Sequence, residues 1–287
     1  MTFSIVARDA GGTTPEWGVA VASKFLAVGN VVPWARAGVG AVATQALANL
    51  AYGPDGLALM ENGNEASAAV QAVTEADDER EHRQVGMVDS QGRAATYTGD
   101  QCFDWAGGRV GDGYCCQGNI LAGQSVVEEM AEAFEASQEE FPLRLLTALL
   151  AADRAGGDRR GRQSASVLIV REGGGYGGGS DKAVDLRVDD HPDPVPELQR
   201  LFSLHRLYFP RPEDLHFLDI DSVMAGEVRR LAARLGYDSK ADAEGYDDSL
   251  KRALFAYVGT ENLEERWTEE PKIEIGVLEH LRGTARG

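Results

Sequence analysis

Four short apolar runs, 2–8, 17–23, 28–32 and 39–42, follow one another before any helical periodicity begins. Each is rich in β-branched or small apolar residues and is closed by Gly11-Gly12, Pro33 or Gly38, the signature of strands joined by turns. The first two form an antiparallel hairpin, and strands that arrive before any helix point to antiparallel sheets covered by helices rather than to a regular βαβ alternation. The first helical pattern uses Ala46, Leu50, Leu57 and Met60 and is interrupted at Gly53-Pro54, which predicts two helical pieces or one bent helix.

The same logic extends along the chain. Val85 to Asp89 and Ala94 to Thr98 flank Ser90-Gln-Gly92 and read as a second hairpin; Gly113 to Asn119 reads as a further strand. Val126, Val127, Met130 and Phe134 then recur at helical spacing, and Leu145, Leu146, Leu149 and Leu150 mark a helix starting at Pro142. Ala165 to Val170 and Asp181 to Val188 are two more strands, joined by the glycine-rich run 173–179. That run lacks the Lys-Ser/Thr ending of a phosphate loop and is not followed by a helix, so a flexible hairpin loop is the better reading.

Three prolines in His191-Pro-Asp-Pro-Val-Pro196 predict a break in the chain, with a helix at 198–207. Beyond it the periodicity is helical: Met224, Val228, Leu231 and Leu235; then Leu250, Leu254 and Val258; then Ile275, Leu278 and Leu281. The expected organisation is a domain over 1–190, a proline-containing linker and connecting helix over 191–212, and a small all-α domain over 213–287.

Composition removes several function classes. Acidic residues outnumber basic ones 46 to 28, a net charge of −18 that opposes nucleic-acid binding. No run approaches the roughly 20 apolar residues needed to span a bilayer, so no membrane partner is expected. The three cysteines, Cys102, Cys115 and Cys116, do not build a disulfide framework, which fits a cytoplasmic protein. The five histidines show no paired metal spacing, and neither a metal nor a cofactor is expected.

Thr2 carries the most pointed chemistry. A small residue after the initiator permits removal of Met1, which leaves Thr2 with a hydroxyl and a free α-amine. An α-amine of pKa about 7.7–8.0 can act as general base for its own hydroxyl. Thr2 is also, more plainly, the first residue of a strand.

The strings Thr2-Phe-Ser-Ile-Val-Ala-Arg8, Gly18-Val-Ala-Val-Ala-Ser-Lys24, Val32-Pro-Trp-Ala-Arg36, Gly40-Ala-Val-Ala-Thr-Gln45, Gln117-Gly-Asn-Ile-Leu-Ala-Gly123, Gly157-Asp-Arg-Arg-Gly-Arg-Gln-Ser164 and Val188-Asp-Asp-His-Pro192 resemble the domain-of-unknown-function 1028 family. The resemblance implies an α+β fold, a four-layer αββα sandwich of the N-terminal nucleophile hydrolase type, and hydrolysis of an amide bond. It further implies Thr2 as nucleophile, Lys24 or Arg36 as the cation beside it, and Thr44, Gln45 and, more weakly, Asn119 around the oxyanion. Asp158 and Ser164 are implied to orient the terminal amine.

Each residue also has a plainer role. Lys24 can be a solvated strand end and Arg36 the partner of an acid; Gln45 can cap a helix, and Asp158 can sit in a salt-bridged loop with Arg159, Arg160 and Arg162. Residues 234–266 resemble a peptidoglycan-binding-like domain. Two functions are therefore carried forward. One is an amidohydrolase acting on a small or peptide-like amide; the other is a non-catalytic binding or scaffold protein recognising muropeptide fragments or a protein partner. A homo-oligomer is compatible with both.

Overall fold

The computed structural model describes residues 2–237 and 243–286, so the expected loss of Met1 concerns a residue outside them. The chain divides into two compact units, Met1–Leu201 and Phe202–Gly287.

In the first unit, β1 (Thr2–Asp9) and β2 (Glu16–Ser23) form the expected hairpin, followed by β3 (Pro33–Arg36) and β4 (Gly40–Ala46). Then come α1 (Tyr52–Glu61), α2 (Ala66–Glu75), β5 (Arg83–Asp89), β6 (Ala94–Thr98), β7 (Gly107–Gly111) and β8 (Tyr114–Asn119). Helices α3 (Ser125–Ala136) and α4 (Phe141–Arg154) precede β9 (Ser164–Val170) and β10 (Lys182–Val188). Every pairing is antiparallel, in one sheet ordered β10-β9-β2-β1-β8-β7 and another ordered β3-β4-β5-β6.

The two sheets stack through β1 on β4 and β8 on β5, with α3 and α4 on the outer face of the larger sheet and α1 and α2 on that of the smaller. This is the four-layer αββα sandwich. Side-chain alternation explains the layers. On β1 and β2, Val6, Trp17, Val19 and Val21 meet Ala41, Ala43 and Val88 of the other sheet. The alternate residues of β4 and β5, Val42, Val85 and Met87, face Leu57, Met60 and Val70 on α1 and α2. Gly18 is required by this packing, because a Cβ there would lie 2.6 Å from the Leu145 side chain of α4.

Two local expectations change. The apolar run 28–32 is not a strand: Val28–Asn30 is a single 3-10 turn, and the third strand falls at Pro33–Arg36. Val28 and Val32 are apolar because this turn is packed into the inter-sheet core. The Gly53-Pro54 interruption does not split a helix either. It lies in the first turn of α1, where proline's missing N–H forfeits no helical hydrogen bond, and the chain before it is a loop.

Pro194 and Pro196 likewise occupy the first turn of α5 (Pro194–Tyr208), which runs across the division between the units. The second unit continues with β11 (Phe217–Asp219), α6 (Ser222–Arg234), α7 (Asp248–Thr260), β12 (Lys272–Glu274) and α8 (Ile275–Thr284). Asp221 and Asp247 cap α6 and α7, each side chain accepting first-turn N–H groups. Val228, Leu250, Leu254, Val277 and Leu281 supply its core. The short β11–β12 ribbon is an addition to the helical pattern; three-residue strands leave too little periodicity to read.

Candidate active site

Antiparallel register places four polar residues in one row across the larger sheet. Thr2 stands opposite Asn119 of β8, and Ser23 of β2 stands opposite Ser164 of β9. Thr2 Oγ1 and Ser23 Oγ are 3.1 Å apart, closing the row between β1 and β2. These residues alternate with apolar ones along their strands and so share the inner face of the sheet.

Behind the row lies a buried amide network. Gln84 Oε1 accepts from Gln45 Nε2 at 2.8 Å and from Asn119 Nδ2 at 2.9 Å, while Gln84 Nε2 donates to Thr98 Oγ1 and the Gly118 carbonyl. Ser4 Oγ donates to Gln45 Oε1, and Gln117 Nε2 donates to Ser4 Oγ, both at 2.7 Å. Gln45, Gln84, Gln117 and Ser4 are all essentially sealed from solvent. Gln117 Oε1 is the member of this network left without a partner; the bonded groups at this depth fix the geometry of the inter-sheet layer beside Thr2. The network also needs Gly86, since a Cβ there would fall 2.1 Å from Gln117 Oε1.

In front of Thr2 is a cavity of about 470 Å³, lined by Thr2, Phe25, Val28, Val31, Val32, Gln45, Ala46, Leu47, Ala48, Leu50 and Arg83. Ligand pockets usually fall in the range of roughly 300–1,000 Å³. Two loops make its walls. The 24–28 loop is held by Asp158, whose Oδ2 accepts the Lys24 backbone N–H at 2.8 Å, and by Ser164, whose Oγ accepts the Val28 N–H and donates to the Phe25 carbonyl. The 46–50 loop is held by Arg83, which donates to the Leu47 carbonyl at 2.6 Å, and by Thr44, which donates to the Asn49 carbonyl. Ala27, Ala46 and Ile120, non-glycine residues at φ 53°, 71° and 50°, sit in these loops and just beyond Asn119. Left-handed conformations in residues with a Cβ are costly and gather at functional sites.

Arg83 is the cation that the structure brings to this cavity. Its Nε donates to Asp77 Oδ2 at 3.0 Å, and a terminal nitrogen pairs with Glu79. Burial alone would lower the Arg83 pKa, but Asp77 and Glu79 outweigh it and raise it above its ordinary value. Burial pushes the Asp77 carboxyl upward; hydrogen bonds from Asn49, Arg83, the Glu79 N–H and Tyr52 prevail and hold it far below the usual carboxylate range.

Of the residues singled out from the sequence, Thr2, Gln45, Asn119 and Ser164 are brought to the row or its network, and Asp158 to the loop above it. Lys24 has an exposed side chain and reaches the site through its backbone. Arg36 pairs with Glu61 at the far end of β3. Thr44 turns to the outer face of β4, on the same side as Val42. Ser23, Arg83 and Gln84 were not anticipated. The available signal was the pattern of polar residues, Gln84 and Gln117 among them, at inward positions of otherwise apolar strands. Among the described residues, no three His, Cys, Asp or Glu side chains converge on a metal-sized site.

The model of the family of unknown function DUF1028 matches residues 2–198. The chain belongs to the DUF1028 family. The structure of a DUF1028 protein from Silicibacter pomeroyi is similar, at 34% identity and a TM-score of 0.65, covering 71% of this chain and 86% of that one. Lower similarity is found to the ancestral β-subunit Anbu of Yersinia bercovieri, at 14% identity and a TM-score of 0.32, covering 73% of this chain and 98% of that one. No curated protein matches the chain. After the DUF1028 region, residues 208–281 match the peptidoglycan-binding-2 domain model. Among the described residues, no helix is long and apolar enough to cross a membrane.

Proposed function

We propose that this DUF1028 protein is an N-terminal nucleophile amidohydrolase of the cytoplasm, with Thr2 as nucleophile after removal of Met1. The observation that carries this reading is the position of the Thr2 hydroxyl, at the head of β1 on the floor of the cavity and hydrogen-bonded to Ser23. The Thr2 amine takes the Oγ proton as Oγ attacks the carbonyl carbon of the substrate. The C–N bond then breaks, the amine product leaves with that proton, and water hydrolyses the resulting ester to a carboxylic acid.

Ala48 lines the cavity, and its N–H, which has no hydrogen-bond partner among the described residues, is assigned as the oxyanion donor in this scheme. Asp158 and Ser164 act by holding the 24–28 wall. Arg83 lines the cavity where Lys24 and Arg36 do not, and in this scheme it acts by holding the 46–50 wall.

Intact-mass measurement followed by turnover on an amide panel tests the proposal. The expected result is a mass lacking Met1, activity in the native protein, none in Thr2→Ala and partial activity in Thr2→Ser. Full retention of Met1, or undiminished turnover in Thr2→Ala, overturns it.

A second reading is favoured by the match at 208–281: this region binds muropeptide fragments. Titration of the full chain with soluble muropeptides tests it. Saturable binding preserved in Thr2→Ala supports it, and absence of binding removes it.

A further inference from the structure

Apolar side chains dominate both the cavity and its mouth. Val28, Val31 and Val32 line its walls, and Phe25, Leu47 and Leu50 line it while remaining half-exposed, at 51%, 58% and 48%. Leu26, beside Phe25, is exposed too. Single apolar residues on a surface need no explanation, but a cluster concentrated around a concave site marks a surface that something apolar covers. The chain as a whole is strongly acidic, with a net charge of −18, which makes the patch more distinct.

Among the described residues, Arg83 is the one charged side chain lining the cavity, and it does not select an anion. Arg83 is already paired with Asp77 and Glu79, and a further N–H is spent on the Leu47 carbonyl. Two carboxylates around one guanidinium leave no surplus positive charge to draw in a carboxylate or phosphate. Thr2, at the floor, is the polar group that faces the reacting centre.

We propose that the cavity takes an uncharged aliphatic acyl group, so that the substrates are N-acyl amides with an apolar acyl chain. The inference rests on the hydrolase reading above and specifies which half of the substrate this cavity holds. The acyl carbon becomes bonded to Thr2 Oγ as its bond to nitrogen breaks; the aliphatic chain lies against Val28, Val32 and Leu50, and water then releases the free fatty acid.

The test is a series of straight-chain N-acyl coumarinyl amides, acetyl through decanoyl, offered to the full-length protein. Each methylene buried gives about fourfold in kcat/KM until the cavity is full. Leu47→Asp and Leu50→Asp, both at exposed positions where the fold is not at stake, are expected to flatten the chain-length dependence, lowering activity on decanoyl about tenfold more than on acetyl.

A parallel arm measures binding of the same series to Thr2→Ala by displacement of an environment-sensitive dye. Affinity that rises with chain length without any turnover in the native protein upholds the apolar site and overturns the hydrolase reading. Binding that does not vary with chain length overturns the present proposal whatever the turnover, as does a preference for acyl chains ending in a carboxylate. A self-association abolished by Leu47→Asp, with no chain-length dependence, also overturns it and assigns the rim to a second copy of the chain.

Discussion

Asp158 Oδ2 accepts the Lys24 backbone N–H at 2.8 Å, joining the loop before β9 to the loop after β2. The Asp158 side chain is 1% exposed and is also held by Arg160, so it acts as a fixed anchor for one wall of the Thr2 cavity. It does this without touching Thr2 itself.

Asp158→Asn is therefore expected to act on stability and substrate affinity together. Losing a buried charged acceptor costs about 1–3 kcal/mol, read as a lower midpoint in urea denaturation. KM is expected to rise more than kcat falls, because the 24–28 wall shifts while Thr2 stays in place. Unchanged stability would count against the anchor role.

Gln84→Leu is expected to be more damaging. It strands the Asn119 side-chain donor and removes the shortest of the three hydrogen bonds made by Gln45 Nε2, in a layer without solvent, at about 1–3 kcal/mol for the stranded donor alone. Chemical denaturation provides the measurement. A loss below that of one stranded donor would show that the network is not satisfied through Gln84.

Acid stability follows from Asp77. Its folded pKa lies below the unfolded value, so the stability it contributes is fully present above the ordinary carboxylate pKa and is lost as pH falls toward the folded value. Asp77→Asn is expected to lower stability at neutral pH and to flatten the decline below about pH 4. A parallel decline in native and variant protein would assign the acid limb to other groups.

The cysteines offer a check on packing. Cys115 and Cys116 are fully buried, and burial pushes the Cys115 thiol up to about 12 and Cys116 well above its ordinary value. Thiol titration of the native protein is expected to leave both unmodified while Cys102, only partly buried, reacts slowly. Guanidinium should release all three. Prompt native-state labelling of Cys115 would contradict the packed inter-sheet layer.

Much of the fold is legible because apolar spacing reports directly which face of a strand or helix is buried. Val19 and Val21 on β2, and Leu145, Leu146 and Leu149 on α4, could be assigned to core faces from spacing alone. The run at Val28 to Val32 shows the limit. Burial made it apolar, and a buried turn carries the same composition as a strand. The site was legible in part for a related reason. Thr2 and Asn119 lie at ends of strands that spacing identifies, whereas Arg83 follows a short 3-10 turn with nothing local to mark its role.

What the sequence determined by itself was the antiparallel, helix-covered architecture and the candidacy of Thr2, because both depend on residue type and short-range spacing. Which cation approaches the cavity, and what Asp158 and Ser164 hold, was decided only by tertiary structure. Those partners lie more than a hundred residues apart in the chain for Asp158 with Lys24 and for Ser164 with Val28. Sheet register, not sequence neighbourhood, sets which side chains meet there.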